Sequence, residues 1–223
     1  MEIIIEEKRP GKYHMRRDLE LFNAYEGGGN TSTLRIYSWE PKCISLGYSQ
    51  NVGDELEEVR AQAQGWDIVK RPTGGGIVFH NEAEVTYSII TALDNPQLPK
   101  GLISSYKKIS EAIVLALKDI GAQAEIHNSS FGIRHSALCF SYPAEYEIVA
   151  EGKKLVGSAQ KRGKRTLLQQ GSIFVRETPT EVYELLKEPT IGVKAISLEK
   201  MLGREITFDE LKASLTRALT ALF

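Results

Sequence analysis

The chain has 223 residues, 42% of them hydrophobic and 26% charged, and a formal net charge of -1. That balance describes a soluble globular protein able to bury one substantial core, and it excludes a global bias toward nucleic acid or an anionic membrane surface. No stretch approaches the ~20 consecutive apolar residues of a membrane-spanning helix, and no internal repeat stands out. The opening run, Met1 to Arg17, puts acids directly after a short apolar stretch without a small-residue cleavage site, which argues against a secretory signal.

In chain order, Arg16 to Tyr25 predicts a first helix that Gly27, Gly28, Gly29 and Asn30 terminate. Leu34 to Trp39 and Ile44 to Leu46 predict strands split by Pro41. Val52, Leu56, Val59 and Ala63 recur at helical spacing, with Asp54 and Glu55 in the first turn, and predict a helix that stops at Gly65. Three short strands follow, Asp67 to Arg71, Ile77 to His80 and Val85 to Ile90. Ile109, Ala112, Ile113, Ala116, Leu117 and Ile120 mark one face of a second long helix, placed to cover a sheet. Tyr146 to Val175 again alternates apolar runs with turn residues, and the tract Lys161 to Arg165 predicts a connection between antiparallel strands. Beyond Thr178 the pattern turns helical, and Thr207 with Glu210 forms a capping box ahead of Leu211, Leu215 and Leu219.

These elements predict an α+β fold, a mixed, largely antiparallel sheet covered by helices. Residues 1–190 read as the main domain, with its core at about 34–175, and 191–223 as a short helical extension.

Two segments carry the chemistry. Lys70 to Ser88 reads KRPTGGGIVFHNEAEVTYS, in which Gly74, Gly75 and Gly76 strip every Cβ from one wall. A ligand can then lie against backbone N–H groups, or the triplet is simply a hairpin or bulge. It lacks the spacing of a dinucleotide fingerprint and the Gly-Lys-Ser/Thr of a phosphate loop. Arg71 is suited to an anionic group or to a surface ion pair, and His80, after an apolar run, to orienting a substrate or to a purely structural role.

The second segment, Cys139 to Gln160, reads CFSYPAEYEIVAEGKKLVGSAQ. Cys43 and Cys139 are too few for a disulfide framework and lack metal-ligand spacing, which points to a reducing, cytoplasmic setting and no metal site. Cys43 reads as a small buried residue. Cys139 is either another or a nucleophile, and a free thiol with pKa near 8.5 is only about 3% ionised at neutral pH. Lowering that pKa to about 6.5 takes about 2.7 kcal/mol, within reach of one ammonium group in a partly desolvated pocket. Lys154 is the candidate, because it follows a turn at Glu151 and Gly152 and precedes the small residues Gly157, Ser158 and Ala159, which can admit substrate.

Together with LRIYSWEPKCISLGYSQ from Leu34, these segments resemble the biotin and lipoate protein ligase catalytic-domain family, and within it the octanoyltransferases that use a cysteine in a Cys-Phe segment. The resemblance spans roughly residues 34–175. It implies octanoyl transfer in lipoate biosynthesis, from octanoyl-acyl carrier protein to a lysine of a lipoyl-accepting protein such as glycine-cleavage H protein, with no cofactor. By the same resemblance Cys139 is the acyl-thioester nucleophile and Lys154 the lysine that lowers its pKa. Arg71, Gly74, Gly75, Gly76 and His80 match the substrate-pocket motif. The chain departs from many such transferases at Gly76, where they carry arginine, and at Gln170, where a histidine is common. The implied alternatives are an ATP-dependent lipoate-protein ligase and an octanoyl amidotransferase working between lipoyl-accepting proteins. A noncatalytic binding module is the reading from another class. The tract Lys161 to Arg165 is either a solvated hairpin tip or a dock for an acidic carrier protein, and the protein is expected to act as a monomer.

Overall fold

A computed structural model describes residues 1–127, 146–188 and 195–223 of the chain. Strand β1 (Glu2–Arg9) was not legible in the acid-flanked opening run, because as a sheet edge it leaves Ile3 and Ile5 exposed. Helix α1 (Gly11–Glu26) follows and begins five residues before the predicted start. Pro10 holds the extended entry, and its missing N–H is no loss where the first turn has none to pair. The chain then returns as β2 (Thr33–Trp39), parallel to β1 in the register Glu2↔Thr33 to Glu6↔Tyr37.

Strand β3 (Cys43–Leu46) opens a smaller sheet. The helix predicted through Val52 and Ala63 is broken into α2 (Val52–Glu55) and α3 (Glu58–Ala63). Leu56 takes an extended conformation between them and bridges to Leu186, while Val59 points to solvent. Burial of Leu56 beside Ile44, Leu46 and Trp66 overrides its helical spacing. Strands β4 (Asp67–Lys70) and β5 (Val78–His80) flank β3, parallel and antiparallel respectively.

Strand β6 (Val85–Ala92) is central to a large sheet that is completed, after α4 (Leu102–Asp119), by β7 (Glu125–Ile126), β8 (Ile148–Ala150), β9 (Lys153–Arg162) and β10 (Thr166–Ile173). Its order is β1-β2-β6-β10-β9-β8-β7, antiparallel except for the β1–β2 pair. A 3-10 turn (Thr180–Leu185), α5 (Leu198–Leu202) and α6 (Phe208–Thr220) end the chain. Thr207 caps α6 through the Glu210 N–H, but the Glu210 carboxylate turns to Arg204 instead of closing the box.

The period of two along the central strands divides the core. Leu34, Ile36, Tyr87 and Ile89 face α4 and α6, whose Ile109, Ile113, Leu117, Leu211, Leu215 and Leu219 join them in one cluster. Residues of the opposite parity face α1, where Phe22 packs on Ile90 and Leu168. The C-terminal helix is thus part of the main core. Leu215→Ala is expected to lower global stability by about 2–5 kcal/mol within a single cooperative urea transition, whereas a separate early transition would mark an independent tail.

Candidate active site

The face turned to α1 carries polar residues because strand register sets them side by side. Arg35 pairs with Ser88 across β2 and β6, and Ser88 with Gln170 across β6 and β10. Asp18, fully buried on α1, drops into this row. Its carboxylate accepts from Arg35, from Ser88 Oγ at 2.6 Å, from Gln170 Nε2 at 2.6 Å and from Tyr37 Oη at 3.2 Å. Burial and the Asp18 charge push the Tyr37 phenol well above its ordinary range, so it remains a donor. Arg35 also holds Glu6 of β1 at 2.6 Å.

His14, one helical turn before Asp18, is caught between opposite partners. Nε2 donates to Ser38 O at 2.9 Å, while Nδ1 accepts from Arg35 at 3.2 Å, which requires the neutral ring. Burial lowers its pKa to about 4, with the Ser38 carbonyl opposing and the Arg35 charge reinforcing the shift.

Gln170 links this buried row to the glycine turn, since Thr73 Oγ1 donates to its Oε1 at 2.7 Å. The turn itself is held from inside. Arg71 donates to Gly74 O at 2.8 Å, Gly76 O at 2.6 Å and Ser45 O at 2.9 Å. It is buried and organises the loop through these carbonyls, so it is not a surface residue. Gly75 sits at φ +89°, and a Cβ on Gly47 would lie 1.9 Å from its carbonyl oxygen, so two segments far apart in sequence meet at backbone distance.

Beside the turn opens a half-open cleft whose space, counted out to open solvent, is about 380 Å³. Of the residues singled out from sequence, Arg71, His80, Gly157, Ser158 and Ala159 line it and Gly74, Gly75 and Gly76 do not; Thr73, Ser45, Trp39 and the β10 run Gln170, Gly171 and Ser172 join the lining. The glycine triplet stands behind this wall through Thr73 and Arg71. Gly171 has no room for a side chain, because a Cβ there would meet the Tyr87 ring at 2.3 Å, and Tyr87 Oη in turn bonds Ser158 Oγ at 2.7 Å.

His80 is stacked on Trp39 with ring centroids 3.9 Å apart. Nε2 meets Ser45 Oγ at 2.7 Å, and Nδ1 meets the Glu84 carboxylate, which also accepts from Thr86 and Ser172. Neither Glu84 nor Asp18 was singled out from sequence. Asp18 had a signal, since Gly11, His14, Met15, Asp18 and Phe22 form the buried stripe of α1 and two of the five are ionisable.

Lys154 is buried on β9 and ion-paired to Glu147, and it is not among the residues that line the pocket. Cys139 lies outside the described residues. Cys43 is buried with Met15, Tyr37, Trp39 and Val69, and burial, with the charges of Asp67 and Glu84, pushes its thiol well above the ordinary range. Among the described residues, no three His, Cys, Asp or Glu side chains are grouped to hold a metal ion, and no helix is long and apolar enough to cross a membrane. The tract Lys161 to Arg165 covers the end of β9 and the turn into β10, where the Glu26 carboxylate accepts from the Lys164 and Arg165 N–H groups.

The lipoyl protein ligase A/B catalytic domain family matches residues 10–220. Octanoyltransferase LipM of Clostridioides difficile is 36% identical over 226 residues, covering 96% of this chain and 83% of that protein. The LipM of Kyrpidia tusciae is 34% identical, covering 93% of this chain and 81% of that protein. Among solved structures, lipoate-protein ligase A bound with ATP superposes with a TM-score of 0.79 at 21% identity, over 99% of this chain and 84% of that one. The bipartite lipoate protein ligase of Thermoplasma acidophilum gives 0.75 at 19%, over 100% of this chain and 84% of that one. Identities this low establish the shared fold alone.

Two outcomes follow from the geometry. Gly47→Ala is expected to displace the glycine turn and cut activity about 100-fold while the protein remains folded by circular dichroism. For His14 the unfolded chain binds the extra proton between its ordinary value of 6.5 and the folded value of about 4. Stability therefore rises with pH across that window, and about 3 kcal/mol is lost as pH falls through it. Urea titrations from pH 4 to pH 7 should show this slope flattened in His14→Asn.

Proposed function

Because this chain belongs to the lipoyl protein ligase A/B catalytic domain family, we propose that it is a cytoplasmic octanoyltransferase of lipoate biosynthesis. It moves an octanoyl group from octanoyl-acyl carrier protein to a lysine of a lipoyl-accepting protein such as glycine-cleavage H protein, by way of a thioester on Cys139. The carrying observation is the lining of the pocket. Its one cationic side chain among the described residues, Arg71, is turned onto backbone carbonyls, and the remaining wall is small, aromatic or uncharged apart from His80. Such a wall suits an acyl chain better than a phosphate. The identity to LipM octanoyltransferases over nearly the whole chain supports the same reaction.

In this reading the Cys139 thiolate attacks the incoming thioester and the acceptor amine then attacks the acyl-enzyme. Thioester exchange is nearly balanced, so no ATP is needed. Backbone N–H groups near the glycine turn stabilise the oxyanion. Lys154, paired with Glu147 on the strand that also supplies Gly157, Ser158 and Ala159, keeps positive charge beside the pocket. The exposed Lys164 and Arg165 of the β9–β10 turn, with half-buried Lys161 and Arg162 at the end of β9, steer the acidic carrier.

Purified protein mixed with octanoyl-acyl carrier protein should show an octanoyl adduct on Cys139 by mass spectrometry and should modify H protein without ATP. Cys139→Ala should reduce transfer to background. Transfer that persists in this variant would overturn the covalent route, and transfer that requires ATP with free octanoate or lipoate would assign a ligase instead.

A further inference from the structure

Attack by an acceptor lysine releases a proton, and the pocket contains a group arranged to take it. We infer that Ser45, His80 and Glu84 form a proton relay for the attacking amine, an inference that rests on the acyl-transfer reading above. Ser45 and His80 both line the pocket while Glu84 does not, so the carboxylate is the inner end of the hydrogen-bonded chain and the hydroxyl its other end.

Hydrogen-bond chemistry sets the direction of the chain. Arg71 Nη1 lies 3.1 Å from Ser45 Oγ and can only donate, which leaves the Ser45 proton for His80 Nε2 at 2.7 Å. The Glu84 carboxylate can only accept, so Nδ1 carries the ring proton toward it. A doubly protonated ring would give Ser45 Oγ two donors and leave its own proton without an acceptor among the described residues, at a side chain only 1% exposed. The satisfied arrangement is thus a neutral imidazole with its lone pair aimed through Ser45 at the pocket. Stacking on Trp39 and the bonds of Thr86 and Ser172 to Glu84 fix both partners.

The step balances as follows. The amine nitrogen bonds to the acyl carbon, the carbon–sulfur bond breaks, and sulfur leaves with the electron pair as thiolate. The nitrogen's proton passes to Ser45 Oγ as the Ser45 proton passes to His80 Nε2. The resulting imidazolium is held against the Glu84 carboxylate until it returns its proton to solvent.

Single-turnover kinetics separate acyl loading from aminolysis. His80→Gln is expected to slow acyl transfer to H protein about 100-fold while loading from octanoyl-acyl carrier protein changes only a few-fold, so that acyl-enzyme accumulates. In His80→Ala, added imidazole is expected to restore aminolysis without accelerating the unsubstituted protein. Ser45→Ala, the milder change, should reproduce the aminolysis defect and guards against a folding failure in the histidine variants. Equal slowing of both half-reactions without imidazole rescue would reduce His80 to a structural residue and overturn the relay. Octanoate recovered as an ester on Ser45 would also overturn it, making that hydroxyl a nucleophile. Running aminolysis in parallel from preformed octanoyl-adenylate separates the two readings. Should the unsubstituted protein accept only the adenylate, the octanoyl-carrier assignment fails, and an aminolysis defect in the variants still supports the relay.

Discussion

A carboxylate sealed inside a protein must be neutralised and hydrogen-bonded, and Asp18 imposes that demand on the centre of this fold. Arg35 supplies the countercharge, while Tyr37, Ser88 and Gln170 supply the remaining donors. Those four residues come from β2, β6 and β10, so the carboxylate is satisfied only when three strands hold their registers and α1 lies across them. A one-residue slip in any strand would turn its donor to the opposite face. Breaking the Arg35–Asp18 pair from one side would strand a buried charge at a cost of about 3–5 kcal/mol. The network favours one arrangement of strands more than it adds net stability.

The same network reaches the pocket. Gln170 orients its amide with the nitrogen on Asp18 and the oxygen on Thr73, and in that way ties the first residue of the glycine turn to the sheet. Arg71 then draws the carbonyls of Gly74 and Gly76 inward, and Gly47 lets the turn settle against it. The wall of the cavity is shaped by backbone held at short range. Rigid main chain of this kind is where donors can be fixed in advance of a developing charge.

Much of this was legible in the sequence where the cause is local. The glycine turn, the β9–β10 hairpin, the stripe of α4 and the Thr207 cap follow from neighbouring residues, and the structure contains each of them. What escaped depends on distant partners. Gly47 is required by a carbonyl at Gly75, Glu84 matters because Ser172 and Thr86 converge on it, and Leu56 leaves its helix for a core shared with Leu186. Arg71 was identified as a site residue, but its binding to its own loop could not be read from composition. Strand β1 was hidden because an edge strand with one bonded side needs no buried apolar alternation.

The sheet order places β6 between β2 and β10, and β10 is added only after most of the chain has been made. Pairing Val85 with Ile173 closes a loop of nearly ninety residues, and such remote closures slow folding because their entropy is lost before the contacts form. On the ribosome, α1 and β2 therefore emerge long before the strand that gives Asp18 its Gln170 partner. Until then the nascent chain holds an incomplete pocket and an open strand edge along β6, a state that chaperones rather than substrates are suited to meet.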